Sequence, residues 1–167
     1  MLGLAKKQVN KMGQFKNENI GIGGVFEFEI IDKKTGFVTE RIKSQNMWLD
    51  GGLNLARDAV WNNSGGSIAW LGLGAGSLAV SGNDTGLESE LNRAAISSYT
   101  TSGTGYKKGL STFVFDNANG EVAEVAAFTA ATGGTCICRS VLTSPFTNDN
   151  SKEVRAYYST TFMRSGT

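Results

Sequence analysis

The chain has 167 residues, of which 40% are hydrophobic and 19% are charged, and its formal net charge is +1. This length is enough for one domain with a substantial core, and the near-neutral charge excludes a broad electrostatic field for nucleic acid. The sequence contains no histidine. It therefore lacks the usual general base at neutral pH, the commonest zinc ligand and any Ser-His or Cys-His pair.

The N-terminal residues 1–23 are rich in glycine, asparagine and lysine, with scattered apolar side chains. We interpret them as an extended arm that precedes a sandwich domain in residues 24–167, because such a segment becomes ordered against a neighbour rather than on a core of its own. The arm is either a solvated tail or a basic segment that docks on an acidic partner. In the second case its contact residues are Lys6, Lys7, Lys11, Phe15 and Lys16.

The N-terminus also lacks the pattern of a secretory signal, since no apolar core follows its first lysines. The longest apolar runs are too short to span a bilayer. We therefore expect synthesis in a reducing cytoplasm and no membrane partner. We also expect no cofactor, because no motif of the sequence indicates a cofactor site.

After the arm, the chain predicts a β-hairpin and then a helix. Residues 25–31 alternate apolar side chains with glutamate, which is typical of a strand with one wet face, and residues 37–42 are the returning strand. Asp50 is a candidate N-cap for a helix that ends near Trp61, before an Asn/Ser/Gly breaker. The apolar residues expected on one side of this helix are Leu53, Ala56 and Val60.

The second half of the chain predicts short strands separated by turns. Residues 68–73 form an apolar run typical of an interior strand, and a capping-box pattern predicts a short helix from Thr85 to Asn92. Together these patterns predict a mainly β fold, an antiparallel β-sandwich of about eight strands with one or two short helices. The remaining predicted strands are 94–100, 106–115, 122–128, 135–143 and 153–163.

Two groups of residues could carry chemistry, a glycine-rich segment and the carboxylates of Asp84, Glu88 and Glu90, which could act in acid–base catalysis or bind calcium. Each has a structural explanation. The glycines of Gly72–Gly76 resemble a dinucleotide loop but lack a βαβ context, so we interpret them as a turn. Asp84 and Glu88 lie where helix capping explains them, and Glu90 with Arg93 is a plausible surface pair of little energetic weight.

The cysteines, Cys136 and Cys138, are two residues apart in an apolar run. In a regular strand they point to the same face and are too far apart for an unstrained disulfide. We expect buried thiols and no metal site, since no further soft ligands are present.

Aromatic residues suggest one possible function, that of a carbohydrate-binding module in which exposed aromatic side chains stack on a sugar ring. The candidate surface aromatics are Trp48, Trp61 and Tyr158, while Trp70 is expected in the core. Tyr157 and Tyr158 are neighbours on a strand, so only one of them can face inward.

Several motifs occur in an order similar to that in small tail-associated and fibre-attachment proteins of tailed bacteriophages, and in some capsid-decorating proteins. The resemblance covers residues 24–163. Its elements are Asn46, Asp50–Asn54, Ile68–Gly74, Asp84–Glu90 with Arg93, Phe113–Phe115, Gly120–Phe128, Gly133–Gly134, Arg139–Val141 and Pro145.

The resemblance implies a non-enzymatic virion protein that is made in the host cytoplasm and incorporated into the particle. Its partners would be other virion proteins, namely tail, baseplate, portal-proximal or major capsid subunits, and copies of itself. The favoured role is a tail, baseplate or collar accessory or adaptor subunit, and the alternative is a capsid decoration (cement) protein.

Overall fold

A computed structural model of the chain describes residues 19–62, 64–114 and 119–165. The predicted arm residues Lys6, Lys7, Lys11, Phe15 and Lys16 lie outside these ranges, as does Phe115. The described elements are β1 Asn19–Asp32, β2 Val38–Gln45, β3 Met47–Trp48, α1 Asp50–Asn62, β4 Trp70–Gly74, β5 Glu90–Ala95, β6 Ser98–Thr101, β7 Tyr106–Val114, β8 Gly120–Phe128, β9 Cys136–Asn148 and β10 Lys152–Ser165.

The strands form two five-stranded antiparallel sheets, which confirms the predicted antiparallel β-sandwich. The first sheet has the order β2-β1-β10-β7-β6, and the second has the order β3-β9-β8-β4-β5. β1 pairs with β10 from Asn19 opposite Ser165 to Asp32 opposite Lys152. Residues 19–23, which the sequence analysis placed in the arm, are thus part of the first sheet.

The chain passes between the two sheets four times, and two of these passages, which we call switches, take only one or two residues. Asn46 separates β2 from β3, and its backbone N–H donates to the carbonyl of Gly24 on β1. Ile96 and Ser97 separate β5 from β6. The N–H of Ile96 donates to Ala69 beside the second sheet, whereas that of Ser97 donates to Leu110 on the first. The single strand predicted for residues 94–100 is therefore wrong, because the chain changes sheets in its middle.

The main core lies between the sheets and is built from the inward positions of alternating strands. Phe26, Phe28 and Ile30 of β1 are fully buried there, as the alternating pattern predicted. A second buried cluster contains Leu49 and Phe128, with Val80 and Leu87 packed against it. The residues from 75 to 89 therefore cover part of the second sheet, and they do so without the helix that was predicted from Thr85 to Asn92.

Helix α1 forms where the sequence predicted it, but it packs through a different face. Leu53 and Val60, two of the three apolar residues expected on one side of the helix, are exposed, so this side does not pack on the sheet. The buried residue of the helix is Gly52. It lies so close to β9 that a Cβ there would be 2.3 Å from the carbonyl oxygen of Ile137. Close approach of the two backbones thus decides which face docks. No helix in the described part of the chain has the length and apolar character needed to cross a bilayer.

Gly52→Ala tests this docking, because the added methyl group has no space against β9. We expect the free energy of unfolding to fall by about 1–3 kcal/mol, the usual range for overpacking. Gly86→Ala is the matched control, since no atom lies within 4 Å of a Cβ placed there. Urea denaturation of both variants measures the difference. Equal stability of the two would contradict the close packing of α1 on β9.

Candidate functional site

The described residues contain two features that concentrate chemistry: a buried carboxylate–arginine pair in the second sheet and an aromatic cleft between the sheets. The pair consists of Glu124 on β8 and Arg139 on β9, which are 0% and 3% exposed. Arg139 Nε donates to Glu124 Oε2 at 2.8 Å. A buried charge needs such a partner together with further hydrogen bonds.

The remaining hydrogen bonds to Glu124 come from the backbone of the covering loop. Its Oε1 accepts from the N–H groups of Gly76 at 3.0 Å and Ser89 at 2.8 Å, and its Oε2 accepts from the N–H of Glu88 at 3.1 Å. The carboxylate thus ties both ends of the loop to the sheet.

The glycines of the segment Gly72–Gly76 leave room for the side chains of Glu124 and Phe128. A Cβ at Gly74 or at Gly76 would lie 2.5 Å from Glu124 Oε1, which is closer than real Cβ contacts allow. A Cβ at Gly72 would lie 2.8 Å from the ring of Phe128. The glycines are therefore explained by close packing, and the explanation as a simple turn was incomplete, since Gly72 and Gly74 lie within β4.

The guanidinium of Arg139 contacts the loop through its other nitrogens. Nη1 donates to Asp84 Oδ2 at 2.8 Å, and Nη2 donates to the carbonyl of Leu78 at 3.2 Å. The backbone N–H of Ser81, helped by Arg139, holds the pKa of Asp84 below its ordinary value. Asp84 and Glu88 thus organise the loop instead of capping a helix. Glu88 Oε2 accepts from the N–H groups of Ser77 and Leu78, both at 2.8 Å.

Arg93 forms an ion pair with Glu90, but it is mostly buried and also contacts other parts of the second sheet. Its side chain is only 10% exposed, and the guanidinium carbon lies 3.4 Å from the centroid of the Phe128 ring. Nη1 also donates to the carbonyls of Ala130 and Gly133. Arg93 therefore holds the β8–β9 turn against β5, which corrects the expectation of an exposed ion pair.

The cysteines are buried and free, as predicted, but they do not share one face. The β8–β9 register shifts where Phe128 pairs with Cys136 and Ala127 pairs with Cys138. This bulge places Cys138 in the core between the sheets and Cys136 in the second cluster. Burial raises the pKa of both thiols to about 12, so they are unreactive near neutral pH.

The second feature is an aromatic cleft of about 190 Å³, which opens between the two sheets beside the β5–β6 switch. Tyr158, Thr160 and Phe162 of β10 form one wall. Ring planes of Trp48 and Phe162 meet at 71° with centroids 6.4 Å apart. Its apolar lining comes from both sheets and the switch: Trp48, Ile68, Ile96, Tyr99, Tyr158 and Phe162.

The switch itself positions the other side of the cleft. The side chain of Ile96 lies over Gly109, where a Cβ would approach Ile96 Cγ2 to 2.8 Å. Tyr99 donates its hydroxyl to the carbonyl of Ile68 at 3.0 Å. Lys107 Nζ lies 4.8 Å from the centroid of the Tyr99 ring, at cation–π distance.

The structure places the predicted aromatic residues in three different surroundings. Trp48 lies in the cleft, but Trp61 is 81% exposed on α1 and does not line the cleft. Tyr158 is buried, and its hydroxyl accepts from Asn46 Nδ2 at 3.1 Å, so its prediction as a surface residue is wrong. The outward residue is Tyr157, which donates to Glu29. These residues do not form one stacking platform.

Sequence reasoning missed Phe162, Tyr99 and Lys107, which only the pairing of distant strands brings together. It also missed the Glu124–Arg139 pair, although a signal was present. Each of these charged residues interrupts an otherwise apolar strand, and such charges need partners when the strand is interior.

Comparison with known proteins finds no relative of this chain. No protein family, curated protein sequence or solved structure matches it.

Glu124→Gln tests the buried pair, because it keeps the shape of the side chain and removes its charge. Arg139 would then be buried with less compensation, and we expect a loss of about 3 kcal/mol in the free energy of unfolding. The control is Glu121→Gln on the same strand, which is exposed and should change stability by less than about 0.5 kcal/mol. Urea denaturation at pH 7 checks both values, and similar stabilities would contradict the assigned role of Glu124.

Proposed function

We propose that this chain is a non-enzymatic structural subunit of a tailed-bacteriophage virion that acts through contacts with other virion proteins and with copies of itself. The observation that carries the proposal is the order of motifs in residues 24–163. The favoured position is the tail, baseplate or collar, and the capsid surface is the second position, because the order of motifs also resembles that in some capsid-decorating proteins.

The surface of the sandwich supports attachment through side chains. Val60 and Trp61 are 83% and 81% exposed at the end of α1, and Phe162 is 47% exposed at the cleft. Large exposed apolar residues are typical of protein–protein contact sites when they cluster. The aromatic cleft adds a concave surface to these exposed residues.

The sheet edges at β2, β6 and β9 are poorly suited to attachment by strand pairing. β2 carries the exposed charged residues Glu40, Arg41 and Lys43, and β6 has only four residues. Beyond its short pairing with β3, the outer edge of β9 contains the exposed Pro145, which has no N–H to donate. Natural sheets use charges, short strands and proline to oppose edge pairing. We therefore place the contacts at the apolar surface and at the arm.

Immunogold electron microscopy of the parent particles, with antibody against this chain, tests the proposal. Gold on the tail supports an adaptor or baseplate subunit, and gold over the head supports a cement protein. Mass spectrometry of purified particles is the control for hidden epitopes. Absence of the chain from purified particles would contradict a virion role.

Deletion of residues 1–18 tests attachment by the arm, since β1 pairs with β10 from Asn19 onward. We expect an unchanged urea midpoint, because the pairing of the sandwich is retained, and loss of incorporation into particles. A full-length variant with Lys6, Lys7, Lys11 and Lys16 replaced by glutamine separates charge from length. Normal incorporation of the deleted chain would exclude the arm as the attachment device.

A further inference from the structure

We propose that the aromatic cleft binds an extended acidic peptide segment of a partner protein, with one apolar side chain in the cleft and a neighbouring carboxylate on Lys107. This inference rests on the proposed function, because it describes the chemistry of the partner contact. The occupant is defined by the size of the cleft, by its charge and by its hydrogen-bonding groups.

The size of the cleft suits a single side chain. Its volume of about 190 Å³ is below the ~300–1,000 Å³ that is usual for small-molecule and cofactor sites. Trp48, Phe162 and Ile96 offer apolar surface from three directions. A leucine or phenylalanine side chain would bury its surface here without displacing either sheet.

Charge complementarity points to an acidic neighbour of that side chain. Lys107 lies at the cleft and contacts the Tyr99 ring, and within the described residues it forms no ion pair. Lys108, the next residue on β7, is instead paired with Glu27 on the other side of the strand. No carboxylate lines the cleft, so an incoming carboxylate would meet a cation and no like charge.

A hydrogen-bond donor in the cleft wall also lacks a partner. The indole Nε1 of Trp48 is buried and has no acceptor among the residues that the structure describes. A buried unpaired donor costs about 1–3 kcal/mol. A peptide carries a carbonyl oxygen at every residue, and because Nε1 has almost no exposed surface, such an oxygen can accept from it only when the indole ring shifts on binding.

The same lining favours a peptide over a carbohydrate. A sugar requires several polar side chains around its stacking ring, whereas the cleft contains no carboxylate or amide side chain. Its polar side chains besides Lys107 are Ser67, Thr160, the Trp48 indole and the tyrosine hydroxyls, and the hydroxyl of Tyr99 already donates to Ile68. An apolar side chain needs none of these groups.

The test is a titration of the full-length protein with acetyl-Phe-Asp-amide, followed by NMR of the tryptophan indole N–H signals. The chain has three tryptophans, so Trp48 is assigned from Trp61→Phe and Trp70→Phe variants, and exposed Trp61 is an internal control. We expect a saturable shift of the Trp48 signal and little change at Trp61. Acetyl-Phe-Asn-amide, which lacks the charge, should bind about threefold more weakly.

Two matched pairs of variants separate the contributions. Lys107→Gln should abolish the preference for the acidic peptide, whereas Lys34→Gln, in an exposed turn, should retain it. Phe162→Ala should weaken the binding of both peptides, whereas Phe37→Ala, at an exposed hairpin turn, should not. Circular dichroism and urea midpoints establish that each variant is folded.

The inference is overturned if Trp48 does not shift, if both peptides bind equally, or if cellobiose shifts Trp48 at lower concentration than the acidic peptide. The last result would assign the cleft to carbohydrate. Failure here leaves the gold-labelling experiment unaffected, because a virion subunit could use another surface. Acidic-peptide binding together with absence from particles would retain the cleft assignment and reject the virion role.

Discussion

The structure of the second sheet depends on the buried pair of Glu124 and Arg139. The pair joins β8 to β9, and its remaining hydrogen-bonding capacity is used by the loop that runs from Ala75 to Ser89. Without it, this loop would lose its ties to the sheet, and Phe128 and Leu49 would lose part of their cover. A charge pair at this point costs desolvation, but it also specifies one position for a loop that has no regular secondary structure of its own.

The cleft is a consequence of the two switches between the sheets. Trp48 follows the switch at Asn46, and Ile96 is part of the switch between β5 and β6. Trp48 and Ile96 line the cleft together with Phe162 of β10. The candidate binding surface therefore lies on well-paired strands, which suits a contact that must keep its shape before the partner arrives.

Protected strand edges and accessible apolar side chains lie in different parts of the molecule. Charged side chains and Pro145 protect the strand edges, while the apolar side chains remain accessible at α1 and at the cleft. In the subunit of a symmetric particle that we propose, unprotected edges would be a hazard, because they could pair with any neighbouring chain. Specific side-chain contacts restrict assembly to the intended partner.

The sequence by itself determined the fold class, the hairpin of β1 and β2, helix α1 and the burial of Phe26, Phe28 and Ile30. These follow from local periodicity and turn chemistry, which act over a few residues. Only the tertiary structure decided that Tyr158 faces inward, that Cys136 and Cys138 lie in different clusters, and that Thr85–Asn92 contains no helix. The physical reason is that a bulge at Ile137, a change of sheet at Ile96 and the hydrogen bonds of Glu124 each depend on residues distant in sequence. Such long-range contacts override local preference.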